Sequence, residues 1–88
     1  MADGSLVNAG TGIIDIDTAG PFQIGRLLTA DNTAAAIDVN TGAITDAGDT
    51  GGADIETTDA SAVVTITSSA AIGTGADAIE TNVAHLNT

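Results

Sequence analysis

An internal repeat constrains this chain more than any other feature. GIIDIDTAGPFQIG (12–25), AAIDVNTGAITDAG (35–48) and AVVTITSSAAIGTG (62–75) align with one another. Each carries β-branched residues at i and i+2: Ile14/Ile16, Ile37/Val39 and Val64/Ile66. A small polar pair follows each, Asp17-Thr18, Asn40-Thr41 and Thr67-Ser68, and then a further apolar residue, Phe22, Ile44 or Ile72. Spacing of two residues puts both branched side chains on one face of a strand. Ile14 to Ile37 is 23 residues and Ile37 to Val64 is 27. Such intervals suit one turn of a solenoid, whereas the strands of a hairpin sandwich recur every 8–12 residues or so.

The residue types agree. The apolar fraction is 43% but only 1% of the chain is aromatic, so the interior must be built from Ile, Val, Leu and Ala. A thin coil has room for a single layer of such side chains. The expectation is all-β: a short right-handed parallel β-helix (β-solenoid) of about three coils. It would form one domain over residues 1–88, with residues 1–5 (MADGS) a disordered start or one foreign to the fold. The expected interior is Ile14, Ile16, Ile24, Ile37, Val39, Ile44, Ile55, Val64, Ile66, Ile72 and Ile79. Bends are expected at Asp31-Asn32, Asp46 to Gly52 and Gly73 to Asp77, and Pro21 suits Phe22 to a corner or an edge. One segment fits two readings. Ala76, Ile79, Val83 and Leu86 have helical spacing, and Thr74 with Asp77 could form a capping box, so a short C-terminal helix is one expectation. Short strands at Ala78–Glu80 and Val83–Leu86 are the other.

Charge narrows the function classes. Twelve acidic residues against one basic residue give a net charge of −11. A single Arg and no Lys leave nothing to neutralise phosphates, which excludes nucleic-acid binding. No apolar run approaches the roughly 18 residues of a membrane-inserted helix. With no Cys, disulfides, thiolate metal sites and cysteine nucleophiles are excluded. Met1 to Ser5 has neither a basic nor an apolar stretch of the signal-peptide type. An acidic surface without counter-charges fits a setting rich in salt or divalent cations, and the expected location is extracellular, at a cell surface, with any signal lying upstream.

Two stretches resemble a known family. TGAITDAG (41–48) and ASAVVTITSSAAIGTGADAIETNVAHLNT (60–88) are similar to repeats of filamentous-haemagglutinin-like large exoproteins. The GAIT step at 42–45, VTIT at 64–67 and IGTGADAIETNVAHL at 72–86 carry the likeness. It covers residues 35–88 well and residues 6–34 loosely. These 88 residues are far shorter than such adhesin rods. The resemblance implies a surface-exposed, rod-forming structural or adhesive module and brings no catalytic residue with it.

Candidate chemistry rests mainly on aspartates. In-register stacking would set Asp15 beside Asp38 and Asp17 beside Asn40, with Thr65 and Thr67 next in the columns. Calcium is the one candidate cofactor, held by Asp46, Asp49 and Asp54 in the polar bend through carboxylate and carbonyl oxygens. The competing reading is a solvated acidic loop, and neither an EF-hand nor the nonapeptide calcium signature is present. Thr18, Thr41 and Ser68 form a hydroxyl column, but only Thr65-Ile66-Thr67 has the TxT form of a flat ice-binding array. His85 lacks a nucleophile and an orienting acid, and reads as a surface residue. Arg26 reads as a surface charge near aspartates. Gly10-Thr11-Gly12 reads as a bend. No enzymatic activity is expected.

A solenoid buries its core only by stacking, so its terminal coils expose apolar surface and unpaired backbone unless capped. No cap is legible, and the candidate assembly ends are Leu6 and Val7 at one end, Val83 and Leu86 at the other. The expected function is a structural or adhesive unit of a secreted or cell-surface fibre, with copies of itself as head-to-tail partners. The alternative is a calcium- or carbohydrate-binding module that acts through its Asp-rich bends.

Overall fold

A computed structural model describes all 88 residues. The alternating segments form strands, and the Gly-, Asp- and Ala-rich stretches between them turn the chain. The first turn holds β1 (Leu6–Asn8), β2 (Ile14–Asp17) and β3 (Phe22–Ile24). The second repeats the plan with β4 (Arg26–Thr29), β5 (Ile37–Thr41) and β6 (Ile44–Asp46). The third has β7 (Ile55–Thr57) and β8 (Val63–Ser68), and the fourth has only β9 (Thr81–Asn82) and β10 (His85–Asn87). Strands stack in the orders β1-β4-β7-β9, β2-β5-β8-β10 and β3-β6. Every pairing is parallel. The protein is therefore an all-β parallel solenoid, and its two four-stranded sheets make about four turns, one more than the repeats suggest.

The register matches the repeat spacing. Ile14 stacks on Ile37, Ile37 on Val64 and Val64 on Leu86. Ile16, Val39 and Ile66 form the second column of that sheet. In the first sheet Val7, Leu27, Ile55 and Thr81 share a column, and in the third Phe22, Ile44 and Ile72 do. These columns point inward and make the core. Ile24, Leu27, Ile37, Val39, Ile44, Ile55 and Val64 are each 0% exposed. Ala36 and Ala62 are buried as well, just before β5 and β8. At roughly 25 cal/mol per Å2 of buried apolar surface, each such Ile contributes ~1.5–3 kcal/mol.

Several expectations need correction. The C-terminal helix is absent. Thr74 Oγ1 does accept from the Asp77 N–H at 2.9 Å, but the Thr74 N–H donates to the Asp77 carbonyl at 2.9 Å. This reciprocal pair closes a turn, and β9 and β10 follow it, shifted from the two strands expected there. Ile72 is 42% exposed, because the fourth turn supplies no strand above it in the third sheet. Ile16 and Ile79 are half-buried against the core. Leu27, Ala36 and Ala62 join the interior instead.

Residues 1–5, read from the sequence as disordered or foreign to the fold, lie against the corner between β3 and β4. The Met1 ammonium donates to the Gln23 carbonyl at 2.9 Å, and Met1 packs on the core. Gly25 makes this approach possible. A Cβ there would stand 2.5 Å from Ser5 Oγ and 2.8 Å from the Ala2 and Ser5 carbonyl oxygens.

Candidate metal centre

Three carboxylates from three successive turns converge beside the bend 47–54. Asp46 closes β6 and takes the register position of Ile24, which is fully buried. The alternation that points Ile24 inward thus turns an aspartate toward the interior one turn later. The Gly48 N–H donates to Asp46 Oδ1 at 2.8 Å. Gly48 has φ +144°, and a Cβ on it would lie 2.5 Å from the Asp3 carboxylate carbon, so conformation and space both call for glycine. Asp3 in turn pins the bend: its carboxylate accepts from the Thr50 N–H at 3.1 Å and from Thr50 Oγ1 at 2.9 Å.

Asp54 immediately precedes β7, and Glu80 immediately precedes β9. The Asp54 N–H donates to the Glu80 carbonyl at 2.9 Å, and the Glu80 N–H donates to Asp54 Oδ2, also at 2.9 Å. This reciprocal pair ties the third turn to the fourth and leaves the Asp54 side chain 0% exposed. One oxygen each from Asp46, Asp54 and Glu80 lies within 4.8 Å of the others. Two carboxylate oxygens here, Asp46 Oδ2 and Asp54 Oδ1, are buried with no hydrogen-bond partner. Unmade hydrogen bonds of that kind are rare and costly in native folds.

Electrostatics reinforce the geometry. Burial pushes the Asp54 carboxyl up to about 7; the neighbouring Glu80 side chain and the charges of Asp46 and Glu80 add to the rise, while the Glu80 N–H opposes it. The Asp49 carboxyl, fully exposed at the rim, is also pushed up, chiefly by the charge of Glu80 and then by that of Asp46. Arg26 pairs with Glu56 at 3.7 Å. Of the residues expected from the sequence, the structure brings Asp46 and Asp54 together and leaves Asp49 outside the three. Glu80 was missed. The only signal for it is register: Ile55 pairs with Thr81, which sets Glu80 over Asp54.

The other candidates are placed as follows. Asp15 stacks on Asp38 and Asp38 on Thr65; Asp17 stacks on Asn40 and Asn40 on Thr67. Asp15, Asp17, Asp38, Asn40 and Thr67 are exposed, and Thr65 is half-buried. The Thr41 and Ser68 hydroxyls turn into the corner, where both donate to the Gly42 carbonyl at 3.0 and 2.6 Å, so they present no flat outward array. His85 is exposed on β10. The Gly10 and Gly12 carbonyls accept from the Thr29 hydroxyl, which holds the 10–12 segment as a bend. Leu6, Val7 and Leu86 are 45%, 43% and 47% exposed, whereas Val83 is half-buried against the core.

In comparisons with known proteins, no family model, curated protein or solved structure matches the chain. The likeness of residues 35–88 to exoprotein repeats therefore stands on its quoted motifs alone.

Proposed function

We propose that this solenoid is a structural unit of a secreted or cell-surface fibre, in which copies stack end to end. The observation that carries the reading is the state of the terminal strands. Within residues 1–88, β1, β2 and β3 are each paired on one side only, as are β9 and β10. Val7 begins an inward column and Leu86 ends one, and both are exposed. A second copy set on either end would continue the parallel ladders and cover both side chains. Contacts that do not close on themselves generate open filaments. The resemblance to adhesin rods points the same way. A net charge of −11 opposes the approach of like copies, so association should strengthen as salt screens it.

The test is sedimentation and negative-stain electron microscopy across salt concentrations, on the unaltered chain and on Leu86→Lys. Thin unbranched filaments at high salt, lost in the variant, are expected. Monomers at every salt and protein concentration would overturn the reading.

A further inference from the structure

We infer that Asp46, Asp54 and Glu80 form a binding site for one hard divalent cation of the calcium type, bridging the second, third and fourth turns. The inference stands apart from end-to-end assembly and rests on the cluster itself. Three carboxylates within 4.8 Å of one another are suited to a shared ion, because two oxygens across a calcium ion lie about 4.6–5.2 Å apart, twice the metal–oxygen distance. An acidic cluster alone would be ordinary. What sets this one apart is Asp54, a side chain 0% exposed whose Oδ1 has no partner, beside Asp46 Oδ2 in the same condition.

The second oxygen of each aspartate is already committed. Asp54 Oδ2 accepts the Glu80 N–H and Asp46 Oδ1 accepts the Gly48 N–H. Those bonds fix both carboxylates and leave one free oxygen on each. Glu80 is exposed, so its carboxylate supplies an adjustable ligand and the route by which an ion and its waters enter. All donors are oxygen, which favours calcium or magnesium over softer metals. The set is irregular and drawn from three strand ends, which suits calcium's flexible six- to eight-fold coordination better than magnesium's rigid octahedron. No salt bridge reaches Asp46, Asp54 or Glu80, and the only Arg of the chain pairs with Glu56 and donates to the Ala53 carbonyl.

The experiment is a thermal-unfolding series on the purified chain, with CaCl2 compared against NaCl at matched ionic strength, together with calorimetric titration of CaCl2. The expected result is one ion per chain and a Tm rise of about 10 °C at a hundredfold excess over Kd. Asp54→Asn keeps an oxygen for the Glu80 N–H and carries no charge to bury, so it should fold without metal and lose the calcium response. Glu80→Gln, at an exposed position, should weaken the response at least tenfold in Kd. Asp49→Asn should retain it. A wild-type Tm that calcium moves no further than NaCl does, or a full response surviving in Asp54→Asn, would overturn the assignment.

Discussion

Asp54 is the residue on which most of this molecule's pH behaviour should turn. Its carboxyl is fully buried, faces Asp46 and Glu80, and is raised to about 7, against about 3.9 in an unfolded chain. Between those values the folded state holds a proton that the unfolded state has released. Stability is therefore full below about pH 4 and falls as pH rises to about 7. In chelator, the wild-type Tm should decline through that window. Asp54→Asn should remove this part of the slope and melt higher than wild type at pH 8, as read by circular dichroism. Equal slopes in the two proteins would place the effect elsewhere. A separate residue-scale prediction concerns the stacked pair Asp15 and Asp38. Strand neighbours lie about 4.8 Å apart, where like charges repel by roughly 1 kcal/mol even in water. Asp38→Thr copies the residue one turn above and should gain about 0.5–1 kcal/mol in urea denaturation at low salt. The electrostatic part of that gain should shrink as salt is added.

At the scale of elements, corners decide as much as strands. Gly25 lets residues 1–5 lie against the solenoid wall, and Gly25→Ala should cost about 1–3 kcal/mol through the forced displacement of Ala2 and Ser5. Deleting residues 1–5 should make the same substitution nearly harmless, which a comparison of urea midpoints would show. Strands with β-branched residues at i and i+2 were legible in the sequence, and the steps from Ile14 to Ile37 to Val64 are the register found. The fourth turn was legible only in outline: short strands were expected at Ala78–Glu80 and Val83–Leu86, but Thr81-Asn82 and His85-Leu86-Asn87 are too short for alternation to fix their bounds. Helical spacing at 76–86 was misleading: Ile79 and Val83 both pack on the core from outside the regular strands. Two of the three residues of the acidic site were legible as well. Asp46 and Asp54 stand out in a polar bend, but Glu80 enters only through a pairing that no local pattern announces.

The whole molecule is a stack whose stability accumulates by neighbouring turns, so its ends should loosen first. The fourth turn has two short strands with no third to complete it, and β10 is exposed along its length. Amide hydrogen exchange should be fastest at residues 81–87 and slowest at β5, which has a partner on both sides. Slower exchange over 81–87 than in β5 would contradict this order. The unequal register steps carry a broader lesson. Leu6 to Arg26 is 20 residues and Leu27 to Ile55 is 28, yet each advances the first sheet by one strand. Height along this rod is thus counted in strands, and the surplus chain is spent sideways in the bends. Extra polypeptide spliced between β4 and β5 would lengthen the perimeter of one turn and leave the pitch untouched. One residue added after Ile37 would reverse the rest of β5, sending Asp38 inward and Val39 to water.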